Sequence, residues 1–412
     1  MDNVLRCCAG LDVHKKTITA CIRRLDDEGR IHEQVRTFGT MTHQLLQLRD
    51  WLSSWGVTHV AMESTGVLWK PVFNILEDKF ELLLVNAAHL KHVPGRKTDI
   101  KDCQWIAQLL QCGLLKNSFV PDRSQRDLRD LTRHRAQLTA ERTRVANRIH
   151  KTLEDANIKL SSVASDVLGV SGRAMIKSMI RGEDDSTKLA ELAKRRLRGK
   201  IPQLREALVG RVTDHHRFML RTLMDHLEYL ERTIEDLDIR IRDLSAPFAD
   251  AIDRLKEVPG LDQRAIENIL AEIGTEMKQF PSAGHLASWT GVCPGNDESA
   301  GKRRTGRTTQ GNRWLRRTLG QAAWAASHAK NSYFQSQYKR LAGRRGKKRA
   351  IVAVAHSLLV VIYHILRDNV AYQDLGSDFF ERRDPDRLVR YHTQRLQRLG
   401  FDVTITPTDK AA

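Results

Sequence analysis

The chain has 412 residues, enough for two or three domains with their own cores, which excludes a small single-module protein. Its formal net charge is +18, from 68 Lys and Arg against 50 Asp and Glu. No signal-peptide pattern opens the sequence and no apolar run reaches the ~20 residues of a membrane span, so a cytoplasmic protein with no membrane partner is expected.

The charge is uneven. Residues 1–120 are net +2, residues 121–250 net +5, and residues 251–412 net +11. Between Glu298 and Asp368 there is no acid but sixteen Lys and Arg, the composition of a polyanion-binding surface that gains affinity by releasing counterions from phosphates. Six cysteines at 7, 8, 21, 103, 112 and 293 form no Cys-x-x-Cys pair, so reduced thiols are expected.

The first element is the short apolar run Cys7-Cys8-Ala9-Gly10-Leu11-Asp12-Val13-His14, followed by a second strand-like run, Thr17 to Ile22. Together they read as the first hairpin of a buried sheet. An ionised Asp12 there loses hydration and should be paired or bind a cation, unless it is a solvated strand-end acid or caps a turn. A third strand is predicted over Ile31 to Phe38, a helix through Leu45, Leu48 and Leu52, and a fourth strand over Val57 to Met62 that delivers Glu63. A helix from about Val67 to Asp78, a strand over Phe80 to Val85, and a helix starting near Thr98 complete the pattern of a mixed sheet with helices packed on it. Asp99 and Asp102 are three apart on that last helix and share a face. Each has an ordinary reading as favourable charge at a helix N-terminus. Four clustered carboxylates repel one another, however, unless hard cations sit between them, and two magnesium ions ~3.5 to 4 Å apart would satisfy them while clamping a phosphoryl transfer.

The segments Gly10 to Lys15, Met62-Glu63-Ser64-Thr65-Gly66 and Lys97-Thr98-Asp99-Ile100-Lys101-Asp102 resemble the RuvC-like catalytic domain of the bridge-RNA-guided insertion-sequence transposases. The resemblance implies an RNase H-like α/β fold for residues 1–120. It also implies an Asp-Glu-Asp-Asp quartet for magnesium, filled here by Asp12, Glu63, Asp99 and Asp102.

After Pro121 the chain turns helical. Leu128, Leu131, Leu138, Val145, Ile149 and Leu153 recur at helix spacing among seven arginines between Arg126 and Arg148. Leu220, Leu223, Leu227, Leu230, Ile234, Leu237, Ile241 and Leu244 then alternate steps of three and four, a coiled-coil seam. Residues 121–250 are therefore predicted as a helical arm, pairing either within the chain or with a second copy. Its arginine-rich helix is either a solvated face or a nucleic-acid contact; the resemblance favours assembly and guide-RNA contact.

Residues 251–370 form a predicted, mainly α C-terminal domain, and 371–412 a polar tail without assigned function. The turn Val258-Pro259-Gly260-Leu261 between two helices is either a helix-hairpin-helix phosphate contact or a plain helical hairpin. Ser299 follows in Glu298-Ser299-Ala300-Gly301, and the next sixteen residues hold Lys302, Arg303, Arg304, Arg307, Arg313, Arg316 and Arg317 with no acid. On its own such a serine is a turn residue. The sequence Gly291-Val292-Cys293-Pro294, Glu298 to Gly301 and Gly311 to Arg317 resembles the serine transposase domain of the same family. That implies a nucleophilic role for Ser299, displaced by the inserted Ala300, and nucleic-acid contacts for the seven cations. The basic run Arg344-Arg345-Gly346-Lys347-Lys348-Arg349 suits a phosphate contact or a solvated loop, and Ala350 to Leu366 reads as a core helix.

The expected function is that of an RNA-guided DNA transposase cutting and rejoining donor and target DNA through a phosphoserine. Its partners would be a structured noncoding guide RNA and further copies of the chain, as a dimer to tetramer. A metal-dependent junction-resolving nuclease without serine chemistry and a non-catalytic nucleic-acid-binding scaffold are the alternatives. The first would need only the acids, and the second would keep its affinity when they are lost.

Overall fold

A computed structural model describes residues 4–64, 66–86, 102–294, 297–299 and 301–406, with 297–299 and 302–305 described by their backbone. The chain divides into two compact units, 1–121 and 122–412. The first is a mixed α/β sheet domain and the second is mostly helical.

The first unit is built on β1 (Cys7–Val13), β2 (Thr17–Leu25), β3 (Ile31–Gly39), β4 (His59–Glu63) and β5 (Glu81–Val85), in the order β3-β2-β1-β4-β5. β1, β2 and β3 form an antiparallel meander, while β4 is parallel to both β1 and β5. The parallel joints need crossovers, supplied by α1 (Thr42–Ser54) and α2 (Trp69–Leu76). The period of two splits β1 between the two faces of the sheet. Ala9, Leu11 and Val13 pack in one cluster with Leu48, Leu52, Phe73 and Leu76, whereas Cys8 faces Ile106 and Leu110 of α3 (Asp102–Gln111). Gly10 and Asp12, in phase with Cys8, lie on the α3 side.

In the second unit α4 (Arg123–Asp155) and α9 (Asp214–Ser245) pack side by side. Arg135 pairs with Asp238, Arg142 with Glu231 and Asp155 with His216, so the two helices run antiparallel within one chain. The seam of α9 is buried at Leu220, Leu223, Leu227, Leu230, Ile234 and Ile241, beside Val145, Ile149 and Leu153 of α4. Between them, α5 (Leu160–Val163), α6 (Val170–Ile180), α7 (Ser186–Glu191) and α8 (Ile201–Ala207) close the core at one end.

The arginines of α4 divide. Arg129, Arg133, Arg135 and Arg142 pair with acids of their own unit, whereas Arg144 and Arg148 are exposed. The remaining helices are α10 (Ala249–Lys256), α11 (Gln263–Ile273), α12 (Ala283–Thr290), α13 (Arg313–Ala326), α14 (Tyr333–Arg345), α15 (Lys347–Asp368), α16 (Phe379–Arg382) and α17 (Pro385–Arg398).

With 22 residues, α15 is longer than its apolar stretch suggests, and it is long and apolar enough to cross a membrane by those criteria alone. It is instead a core helix: Leu358, Leu359, Ile362 and Tyr363 are buried, and the Tyr363 hydroxyl donates to the Phe280 carbonyl at 2.9 Å. The Gly260 turn is tightly packed. A Cβ on Gly260 would lie 2.4 Å from the Ala322 carbonyl oxygen, and the Leu261 N–H already donates to Val258, so this turn packs on α13.

Candidate active site

Asp12 is the penultimate residue of β1 and Glu63 the last of β4. The parallel register pairs Leu11 with Met62, so the next residues, Asp12 and Glu63, stand side by side at the carboxyl ends of adjacent strands. Both are half-buried, and Asp12 Oδ2 lies 3.2 Å from His14 Nε2.

The third acid arrives with α3. Val4 N–H donates to the Gln111 carbonyl at 2.8 Å, Cys8 Sγ to that of Ala107 at 3.5 Å, and a Cβ on Gly10 would lie 2.3 Å from that of Cys103. As β1 advances, α3 therefore recedes, and its N-terminal Asp102 sits at the Asp12 end. Gly10 is what allows this, because any side chain there would meet helix backbone. Asp99 lies outside the described residues, and among the described residues no three His, Cys, Asp or Glu side chains form a metal cage.

The donors at this end are carboxylate oxygens, partly open to water, of the kind magnesium takes. The neighbouring thiols do not compete. Burial, reinforced by nearby thiols, pushes Cys8 and Cys21 up to about 12, so both stay protonated.

Ser299 is the last residue of β6 (Asp297–Ser299), which pairs with β7 (Lys302–Thr305) in an antiparallel hairpin. Ser299 pairs with Lys302, and Gly301 between them turns the chain at φ +73. The serine thus stands at a hairpin tip, with Lys302, Arg303 and Arg304 on the returning strand. The upstream Ser282 caps α12 by accepting from the His285 N–H.

The base of this loop is pinned. Pro294 bridges to Thr308, and Arg316 donates to Thr308 Oγ1 at 2.7 Å and the Thr309 carbonyl at 3.3 Å. Arg316 therefore holds its own loop, while Arg307, Arg313 and Arg317 are exposed. A Cβ on Gly311 would lie 2.2 Å from the Thr290 backbone, so the two chain segments touch there.

Beside Gly311, Asn312 caps α13 by accepting from the Trp314 and Leu315 N–H groups, and its amide donates to Glu272 Oε2 at 2.6 Å. Glu272, only 2% exposed, also takes a bidentate pair from Arg133 at 2.7 and 2.8 Å. Burial pulls the neighbouring Arg129 down to about 10, against the opposing pull of Glu272. Sequence reasoning missed this clamp; its one local signal is Glu272 itself, a carboxylate set directly after Ile269-Leu270-Ala271 on α11.

The first unit thus carries carboxylates at one end of its sheet, and the second, helical unit a long acid-free basic segment. A family model described as Transposase matches residues 9–158, a range that holds all four acids. A second, described as Transposase IS116/IS110/IS902 family, matches residues 252–339, around Ser299.

Among relatives, the insertion element IS110 uncharacterized 43.6 kDa protein of Streptomyces coelicolor is 26% identical over 68% of this chain and 73% of its own length. The transposase for insertion sequence element IS1111A of Coxiella burnetii is 24% identical over 70% of this chain and 72% of its own. The pilin gene-inverting protein of Moraxella bovis is 28% identical over 35% of this chain and 47% of its own. The chain belongs to the IS110/IS116/IS902 family of transposases.

Proposed function

We propose that this transposase cuts and rejoins donor and target DNA through a phosphoserine on Ser299, with magnesium held by Asp12, Glu63, Asp99 and Asp102. A structured noncoding guide RNA selects both DNAs by base pairing, leaving the protein to read backbone and shape. The observation that carries this reading is the strand register that sets Asp12 beside Glu63 at the end of β1 where α3 presents Asp102. The β3-β2-β1-β4-β5 order, a three-stranded meander followed by parallel strands, supports an RNase H-like frame for these acids.

The Ser299 oxygen attacks the scissile phosphorus, the bond to the leaving sugar oxygen breaks, and the hydroxyl proton ends on that oxygen. One phosphate ester replaces another, so a DNA hydroxyl can reverse the step without a nucleoside triphosphate. Magnesium, when bound, neutralises and polarises the phosphate. The cations around the hairpin, with Lys302 opposite Ser299 in register, offset charge that grows on the phosphoryl oxygens. A relative named for inverting a gene favours rejoining over one-way cleavage, because inversion requires every broken end to be resealed. Acids and serine lie in different units, so a site shared between copies in a dimer or tetramer accompanies this reading.

The test is a denaturing gel of purified protein with its flanking-element RNA, labelled donor and target DNA, and magnesium. A protein–DNA adduct is expected that disappears in Ser299→Ala, in Asp12→Ala and without magnesium. Cleavage that persists in Ser299→Ala with no adduct would overturn the phosphoserine and leave a metal-only nuclease.

A further inference from the structure

Away from the carboxylates and the serine hairpin, α13 leaves one face uncovered. Leu315, Leu319, Ala322, Ala323 and Ala326 are buried beneath it. On the outer side Trp314, Arg317, Gln321 and Trp324 follow one another at steps of three and four, which places them in one stripe, and His328 lies just past the helix end. Trp324 is 53% exposed, and its ring centroid lies 4.6 Å from that of His328. A large aromatic pair left in water beside cations is the kind of platform on which unpaired bases stack.

At the other end of the stripe a groove of about 450 Å³ opens between α13, the start of α11 and the middle of α4. That volume lies within the range of small-ligand sites. Trp314 and Arg317 stand on one wall, Arg264 and Asn268 on a second, Thr132 and Thr139 on a third.

Most of the charge lining it is already engaged. Arg133 pairs with Glu272, Arg135 with Glu267, Arg264 with Asp238, and Asp262 caps α11. Arg317 is exposed and pairs with no carboxylate among the described residues. Asn268 accepts from Arg135 through its oxygen, which leaves its amide hydrogens available, and Gln321 is exposed with both functions. The groove therefore offers one uncommitted cation, amide groups able to read a base edge, and the Trp314 ring, over which the Arg313 and Arg133 guanidinium groups lie at 5.0 and 5.8 Å from the centroid.

We propose that this face of α13 is a track for an unpaired strand of nucleic acid. One nucleotide enters the groove with its base on Trp314, in the place of the exposed Arg313 guanidinium, and its phosphate on Arg317, and a second base stacks on Trp324 and His328. The two platforms are ten residues apart, ~15 Å along the helix, a distance that a strand covers in a few nucleotides. A duplex does not fit this role, because its base faces are covered by their neighbours. The track uses neither Ser299 nor the acids, so it goes beyond the cutting and rejoining proposed above and does not depend on it.

The experiment is fluorescence anisotropy on the full chain without magnesium. The probes are labelled oligothymidylate, labelled oligouridylate and a duplex DNA of equal length. Trp324→Ala, whose side chain is exposed and so removable without opening the core, is expected to weaken single-strand binding about tenfold while duplex affinity stays within about twofold. Arg317→Gln, combined with Gln321→Ala, is expected to act in the same direction, with an unchanged thermal melt as the folding control. Loss on thymidylate alone assigns the strand as DNA, loss on uridylate alone as RNA, and loss on both as either. Unchanged single-strand affinity in Trp324→Ala, or an equal loss on duplex, overturns the proposal.

Discussion

A single methyl group tests whether Asp12 is held in place from behind. On Gly10 it would fall 2.3 Å from the Cys103 carbonyl oxygen and 2.4 Å from the Ala107 nitrogen, both backbone atoms of α3, which cannot rotate aside. The helix must shift, and Asp102 moves with it. Gly10→Ala is expected to cost about 1–3 kcal/mol of stability in chemical denaturation. The control, Gly306→Ala, which meets nothing within 4 Å, should stay within about 0.5 kcal/mol. Asp12 and Glu63 are legible in the sequence because a carboxylate ending an apolar strand is out of place without a task. Glu272 is not, because its meaning lies in Arg133 and Asn312, 139 and 40 residues away, and no local pattern encodes such a distance.

Periodicity makes the elements legible but not their partners. The α9 seam announces a face to be covered, and only the structure shows α4 of the same chain covering it. The arginines of α4 have the same ambiguity: spacing puts them on a helix, while the acids that claim them come from α9 and α11, distant in sequence. Glu231 of α9 shows the consequence. It accepts from Arg142 of α4 at 2.9 Å and from Arg173 of α6 at 2.6 Å, joining three helices. Burial raises its carboxyl, but the hydrogen bonds from Arg173 and Arg142 outweigh that and hold it below its ordinary 4.5. A depressed carboxyl contributes stability that is present above the unfolded value and is lost as pH falls through the folded one. Glu231→Gln should thus lower stability by about 1–2 kcal/mol at neutral pH. The gap between variant and parent should narrow below pH 4.5 in thermal melts taken across the acid range. A gap independent of pH would mean that shape, not charge, holds the junction.

Across the whole molecule the charge belongs to one unit: residues 1–121 are net +2 and residues 122–412 net +16. Its densest exposed point among the described residues is the tip where α14 meets α15, with Gly346 at φ +84 turning the chain and Arg344, Arg345, Lys347, Lys348 and Arg349 all exposed. Folding alone gives no reason for Lys347 and Lys348 to open α15, since a helix N-terminus carries partial positive charge and disfavours cations. A polyanion reverses that sign. Neutralising the start of α15 with Lys347→Gln, Lys348→Gln and Arg349→Gln should therefore leave the thermal melt unchanged or slightly raised. It should also flatten the dependence of log affinity on log salt by about 0.9 for each phosphate that the tip no longer neutralises. Arg6 and Lys79 provide the comparison, because they precede β1 and β5, at the end of the parallel strands opposite Asp12 and Glu63. Their change to Gln should leave the slope intact when duplex DNA binding is titrated with potassium chloride. If the Arg6 and Lys79 variant flattened the slope and the tip variant did not, the polyanion would run over the far edge of the sheet, and the acid-free segment would owe its charge to something other than DNA.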